Sequence, residues 1–114
     1  QHWEKTVRRY LEERVSLRAL ILPVDCRREP TALDWQLLKW CAASQLPVHV
    51  LLTKSDKLGH GKSLQALRQT RESLATMPLV SVQLFSATRN VGVTEARERI
   101  VDLLSGQGNG RKPA

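Results

Sequence analysis

The stretch VHVLLTKSD at residues 48–56 decides the fold of this chain. Residues 48–52 are mostly apolar and β-branched, and a short run of this kind predicts a strand buried on both faces, as in a parallel sheet. A polar loop from Thr53 to Gly61 follows at once. We therefore expect a buried strand whose carboxyl end carries polar side chains.

Two further strand-like runs and four amphipathic segments surround this strand. Unbroken apolar residues at Leu20–Val24 lead into Asp25, and Val80–Phe85 is a third run. Apolar residues at spacings of three and four predict helices at Trp3–Leu17, Thr31–Ser44, Lys62–Thr76 and Val93–Leu104. Short strands that alternate with helices predict right-handed crossovers and an α/β fold, in which helices flank a short parallel sheet.

The same spacing predicts which helical side chains face the sheet. Thr31 is the expected cap of its helix, and Asp34 adds a carboxylate to the first turn. We expect inward side chains at Leu33, Leu37, Trp40 and Cys41, widened by Trp35, Leu38 and Ala42, then at Leu64, Leu67 and Leu74, and finally at Val93, Ala96, Ile100 and Leu104.

The composition is that of an ordinary globular chain. With 114 residues and a hydrophobic fraction of 41%, we expect one domain or a large piece of one. The longest apolar stretch, Ala19–Val24, is too short to span a membrane, and no segment has the pattern of a signal peptide. We therefore expect a cytoplasmic protein without a membrane partner. Because the chain begins at Gln1 rather than Met, we also expect processing or a fragment.

Cysteine and histidine usage indicates no metal site. Cys26 and Cys41 lie in apolar settings without partners at metal-ligand spacing, and the three histidines are scattered. We expect both cysteines to be buried free thiols.

The charge is strongly basic, with a formal net value of +7 and a pI of about 10.1. Such a charge favours polyanions through counterion release. With only 4% aromatic residues there is no pattern for stacking on single-stranded nucleic acid. We expect RNA contact without sequence-specific readout, and a plain solvated surface is the alternative.

Polar residues follow two strand ends in a way that suits a nucleotide base. Ligands of open parallel sheets bind beyond the carboxyl ends of the strands, where residues 53–56 and 86–88 are expected. Ionised Asp56 presents two acceptor oxygens, which match the adjacent N1–H and N2 amine of guanine. Adenine lacks this pair of donors, and a mismatch of this kind discriminates by about 10⁴-fold.

The neighbouring residues complete the expected base site. The methylene stem of Lys54 is expected to lie over the base, while Thr53 and Ser55 tie the loop through side-chain hydrogen bonds to the backbone. The Ala87 N–H is expected to donate to the guanine carbonyl oxygen, and Ser86 to brace the Asp56 loop. On the loop alone, the alternative is a surface turn whose aspartate caps the following helix.

These residues carry a family resemblance. Residues 53–56 resemble the [N/T]KxD motif of translation-factor (TRAFAC) class GTPases, and Ser86-Ala87 resembles their SA motif at the usual spacing. Flanking residues, including Leu33-Asp34-Trp35-Gln36 and Trp40, narrow the resemblance to the EngB GTPases over roughly residues 3–104. The resemblance implies a partial three-layer P-loop GTPase fold of the Rossmann-like kind. It implies that residues 1–105 are the C-terminal half of a GTPase domain, and we expect residues 106–114 to be a disordered basic tail.

The resemblance also implies a function for a longer parent protein. That parent is expected to bind GTP or GDP with magnesium, to hydrolyse GTP and to assist assembly of the large ribosomal subunit, with a link to cell division and septation. The 114 residues contain no GxxxxGK[S/T] loop, because the position five residues before Gly61 is Asp56. Asp25 likewise has no glycine three residues later. We therefore expect no catalytic residues, no magnesium ligands and guanine binding on the order of millimolar here.

The edge of the predicted sheet and the basic surface indicate further partners. The first strand has no preceding strand in the chain, and an open apolar edge invites pairing, so we expect self-association. The alternative function is a basic α/β module that binds RNA or the ribosome without recognising nucleotides.

Overall fold

The computed structural model describes residues 19–105. Three strands and three α-helices alternate along the chain. They are β1 (Leu20–Asp25), α1 (Ala32–Ala43), β2 (Val48–Thr53), α2 (His60–Ser73), β3 (Val80–Leu84) and α3 (Val93–Ser105), with a short 3₁₀ helix at Ser55–Lys57. The predicted helix Trp3–Leu17 and the tail 106–114 lie outside the described residues.

The three strands form one parallel sheet in the order β1-β2-β3. In its register Leu22 lies beside Val50, and Val50 lies beside Val82. Because side chains alternate along a strand, the even-numbered residues share one face, which we call the apolar face. The odd-numbered residues share the other, which we call the mixed face. The predicted α/β fold with a short parallel sheet is confirmed.

The apolar face carries the main core. Its buried members are Leu22, Val24, Val48, Val50, Leu52 and Val82 from the strands, Leu38 and Cys41 from α1, and Cys26 and Leu74 from loops. Helices α1 and α2 cover this face, as right-handed crossovers require for strands that follow one another in order. The predicted burial of both free cysteines is confirmed.

Helix α1 begins where its sequence predicts. Thr31 accepts from the Asp34 amide at 3.1 Å, and the Asp34 carboxylate accepts from the Thr31 amide at 2.9 Å, which forms a reciprocal capping box. Leu38 and Cys41 are buried as expected, whereas Ala42 is exposed and its predicted inward position is wrong.

Helix α2 starts two residues before the prediction and ends three residues before it, with Gly59 as its N-cap. Its inward stripe runs through Ser63, Leu67 and Leu74. Leu64 lies one position off this stripe and is 37% exposed, so its predicted inward position is wrong.

Helix α3 packs on the mixed face, where Arg99 donates to Ser81 of β3 at 3.3 Å. Ala96 and Leu103 are its buried side chains. Leu104, predicted to face inward, is 60% exposed because a stripe that passes through Ala96 and Leu103 turns the next residue outward. With helices on both faces, the sheet is the middle of three layers.

Strand β1 forms one edge of the sheet. Among residues 19–105 it pairs only with β2. The amides of Leu20 and Cys26 donate to the carbonyls of Pro47 and Thr53, on the β2 side. Because backbone groups alternate in direction along a strand, the amides and carbonyls of the odd-numbered residues of β1 point away from β2, toward the free edge. Pro23 is one of these, and its missing N–H removes a donor from the free edge.

No helix in the described part of the chain is both long and apolar enough to cross a membrane.

Candidate functional site

Parallel pairing of β2 and β3 brings two polar loops together at one end of the sheet. The Phe85 amide donates to Leu52 at 2.9 Å, and the Ser55 amide donates to Phe85 at 3.1 Å, so the pairing continues past the strand ends. The loop after β2 and the loop after β3 therefore start side by side, as the carboxyl ends of neighbouring parallel strands must.

The turn after β2 depends on an uncommon backbone conformation. Lys54 has φ 60° and ψ 34°, the left-handed region that residues other than glycine rarely adopt. Its carbonyl accepts from the Lys57 amide at 2.9 Å and from the Cys26 thiol at 3.4 Å. A conformation of this kind costs on the order of 1 kcal/mol and persists only where surrounding contacts hold it. Here the turn directs Asp56 toward the β3 loop.

Asp56 is held by hydroxyl groups from that loop. Ser86 donates to its Oδ1 at 2.7 Å, and Thr88 donates to its Oδ2 at 3.4 Å. The brace predicted from Ser86 is thus present, whereas the Thr88 contact was not predicted. The Ser86 hydrogen bond is the main reason that the pKa of Asp56 lies below its usual value. Asp56 is therefore an ionised acceptor at neutral pH.

The β3 loop is closed on itself. Ser86 and Val91 exchange two backbone hydrogen bonds of 2.9 Å in an antiparallel bridge, and Asn90 takes the left-handed conformation with φ 56°. Ala87 lies exposed at the start of this loop, and no hydrogen bond among residues 19–105 uses its N–H. The loop thus places a free backbone N–H on the residue between Ser86 and Thr88, the two residues whose hydroxyls hold Asp56.

Thr53 and Ser55 behave differently from one another. Thr53 Oγ1 lies 3.4 Å from the carbonyl of Val24 on β1, which links the two strand ends. Ser55 is 6% exposed, and its hydroxyl has no partner within the described residues. The expectation that its side chain ties the loop is therefore wrong, since the main-chain amide of Ser55 makes that connection instead.

An ion pair occupies the end of β1 beside this site. Arg27 donates to the two oxygens of Asp25 at 3.0 and 2.8 Å. This arginine holds the pKa of the Asp25 carboxyl well below its usual value. Asp25 lies in register with Thr53, so the pair borders the loop, and among residues 19–105 neither member of the pair hydrogen-bonds to the Asp56 carboxylate. The positive charge that the sequence places at Arg27 is therefore matched locally.

Other sequence candidates do not join the site. Residues 61–63 lie in the first turns of α2, where the Ser63 hydroxyl donates to the His60 carbonyl at 2.9 Å. A groove of about 610 Å³ lies between the β1–α1 loop and α2, and none of the five predicted site residues lines it. In the described part of the chain, no three His, Cys, Asp or Glu side chains converge.

Comparisons with known proteins agree with this architecture. No family model matches the chain. A protein named probable GTP-binding protein EngB from Thiobacillus denitrificans is 45% identical over 98 residues, which cover 86% of this chain and 48% of that protein. The protein of the same name from Nitrosococcus oceani is 40% identical over 105 residues, covering 91% and 52%. The chain thus spans about half the length of the curated relatives it matches.

Solved structures show the same fold at lower identity. Translation elongation factor SelB from Methanococcus maripaludis, in its apo form, matches with a TM-score of 0.70 and 20% identity, over 82% of this chain and 22% of that one. Its complex with the GTP analogue GppNHp also gives a TM-score of 0.70. By sequence, the chain is therefore a homologue of the EngB GTP-binding proteins over about half of their length, and its fold is a partial P-loop GTPase fold.

Proposed function

We propose that this chain is the guanine-recognising portion of a GTP-binding protein of the EngB type. One observation carries the proposal, namely the ionised Asp56 held by Ser86 at 2.7 Å across two neighbouring strand ends. A carboxylate that is partly exposed and oriented by hydroxyl donors keeps acceptor capacity free for a ligand with paired donors.

Guanine supplies that pair of donors. Its N1–H and N2 amine match the two oxygens of Asp56, and the Ala87 N–H, which makes no hydrogen bond among residues 19–105, remains able to donate to its carbonyl oxygen. Adenine presents an acceptor where guanine presents N1–H, so the aspartate would be left without a partner. Lys54, exposed at the left-handed turn, lies beside Asp56 in the same loop and can cover the base with its stem.

The remaining parts of the function belong to the longer proteins that this chain resembles. In the proposal, residues 1–105 are the C-terminal half of a GTPase domain and residues 106–114 are a basic tail. Phosphate and magnesium binding, GTP hydrolysis and assembly of the large ribosomal subunit in the cytoplasm are proposed for the whole protein. Losing the charged phosphate contacts lowers affinity, so the 114 residues alone are expected to bind guanine nucleotides weakly and not to hydrolyse them.

The direct test is a titration of the chain with GDP and with ADP at millimolar concentrations, followed by amide chemical shifts. GDP alone is expected to shift Lys54, Asp56 and Ala87. Equal shifts with ADP, or none with either nucleotide on a folded spectrum, would count against a base site in this chain.

Replacing a carboxylate oxygen of Asp56 with an amide group, which can donate, gives a more specific test of the guanine site. Asp56→Asn places an amide where the second carbonyl of xanthine would lie, so preference is expected to move from GDP toward XDP by at least about tenfold. Asp102→Asn on α3 removes one exposed carboxylate far along the chain and is the charge-matched control. Unaltered GDP preference in Asp56→Asn would show that the pocket is assigned wrongly.

The second candidate function is RNA binding through the basic surface, which the net charge of +7 favours. Exposed cations along α2, such as Lys62 and Arg68, would contribute to it. Under this alternative, Arg68→Gln lowers RNA affinity and its salt dependence, and Asp56→Asn changes nothing. Nucleotide selectivity therefore separates the two candidates.

A further inference from the structure

A buried hydrogen-bonded network lies on the mixed face of the sheet, between β2, β3 and α3. His49 is 3% exposed and Gln83 is 2% exposed, and both stand at the centre of the layer under α3. The His49 ring lies 2.7 Å from Gln83 Oε1 through Nε2, and 2.7 Å from Ser81 Oγ through Nδ1. Fully satisfied polar groups at this depth specify one arrangement of their neighbours.

Each hydrogen bond of the network has a defined donor and acceptor, and the orientation of the Gln83 amide determines them. Its amide nitrogen lies 3.0 Å from the Leu84 carbonyl and 2.8 Å from the Gly92 carbonyl, and carbonyls can only accept. The amide nitrogen must therefore face them, and Oε1 must accept from His49 Nε2–H. His49 Nδ1 is then free to accept from Ser81, whose hydroxyl in turn accepts from Arg99 at 3.3 Å.

The network ends at the stem of the loop that carries Ser86 and Ala87. Gly92 follows the Ser86–Val91 bridge directly, and its carbonyl also accepts from the Ala96 amide at 2.9 Å. Gly92 has φ 72°, and a Cβ there would lie 2.3 Å from the Leu84 carbonyl and 2.6 Å from the Gln83 amide nitrogen. The close approach between Gln83 and Gly92 thus requires glycine at this position.

We propose that Gln83 is a positioning residue for the guanine site. By holding the Gly92 carbonyl, it fixes the end of the Ser86–Val91 loop against β3, and so sets where the Ala87 N–H and the Ser86 hydroxyl stand relative to Asp56. Gln83 hydrogen-bonds to neither of these groups itself, since its partners are His49, Leu84 and Gly92. The inference rests on the proposed guanine function, and it adds the residues that orient one half of that site.

The test compares the apparent affinities of the full chain for GDP and ADP. Gln83→Met keeps the volume and removes both donors, and it is expected to lower the ratio of GDP to ADP affinity about fivefold or more. General destabilisation lowers the competent fraction, which weakens both nucleotides alike and leaves the ratio unchanged. Ser81→Ala is the matched control, because it removes the far side of the network and leaves both Gln83 donor bonds intact; its ratio is expected to stay within about twofold.

If Gln83→Met does not fold, a measurement on the unaltered chain tests whether Gln83 positions the guanine site. GDP is expected to shift the side-chain amide protons of Gln83 and the amide of Gly92, whereas ADP is not. Absence of these shifts while Ala87 responds to GDP would overturn the role of Gln83.

The outcomes keep the two proposals apart. Equal affinity for GDP and ADP in the unaltered chain would reject the guanine site itself. If the unaltered chain prefers GDP over ADP and folded Gln83→Met keeps the same preference, only the positioning role of Gln83 would be rejected.

Discussion

The two faces of the sheet are stabilised by different interactions. On the apolar face, Leu38 and Cys41 of α1 and Leu52 of β2 belong to one cluster of buried hydrophobic side chains. On the mixed face, His49 and Gln83 are just as buried but are held by hydrogen bonds of 2.7 to 3.0 Å. Burial of apolar groups stabilises without direction, whereas a hydrogen-bonded network adds little net energy and fixes positions. The apolar face therefore supports the fold, and the mixed face orients the β3 loop.

The largest effect is expected on the apolar face. Leu38 is 1% exposed, and Leu38→Ala leaves a cavity that the sheet and α1 cannot fill, so the free energy of unfolding is expected to fall by about 3 kcal/mol. Urea unfolding of both proteins measures the difference. Val101→Ala on α3, where the side chain is 58% exposed, is the control and is expected to change stability by less than about 0.5 kcal/mol. Similar losses for both would mean that the core is placed wrongly.

An intermediate loss of stability is expected on the mixed face, and its size depends on which hydrogen-bond partners remain. His49→Leu leaves the Gln83 Oε1 acceptor buried without a donor, which is expected to cost about 2 kcal/mol. In the double variant His49→Leu, Gln83→Leu neither member of that pair remains, and the cost is expected to be smaller than the sum of the two single variants. Additive losses in this double-mutant cycle would show that the two side chains do not interact.

The smallest effect is a dependence of stability on pH. Burial and the nearby charge of Arg99 lower the pKa of His49 below its usual 6.5, against the opposing influence of its Gln83 hydrogen bond and of Glu95. The unfolded chain therefore binds a proton at His49 as the pH falls below 6.5, and the folded chain resists it. Stability is expected to fall with decreasing pH in this window and to be constant above it.

Unfolding measured between about pH 5 and 8 checks this expectation, because the carboxylates titrate at lower pH. Both Asp25 and Asp56 have lowered pKa values, so their contributions are lost only under more acidic conditions. His49→Leu is expected to flatten the slope near pH 6. Stability that rises as the pH falls through this window would mean that the folded chain favours the charged imidazole.

Local patterns predicted most of the elements. Thr31 and Asp34 cap α1 because a capping box involves residues only three positions apart. The contact between Ser86 and Asp56 spans 30 positions, yet it was predictable because both follow neighbouring parallel strands. Leu64 and Leu104 were placed wrongly, since the residues of a helix that face inward depend on where the helix docks as well as on spacing.

The sequence by itself determined the alternation of buried strands and amphipathic helices, the parallel sheet and the polar residues at its carboxyl end. These follow from the spacing of apolar residues and from the order of strands and helices along the chain, both of which can be read from short stretches of sequence. Only the tertiary structure decided that His49 and Gln83 join one network, that Gly92 must lack a side chain beside Leu84, and that Ser55 has no hydroxyl partner among residues 19–105. Each of these depends on distances between atoms far apart in the chain, and those distances exist only once the sheet is paired and the helices are packed on it.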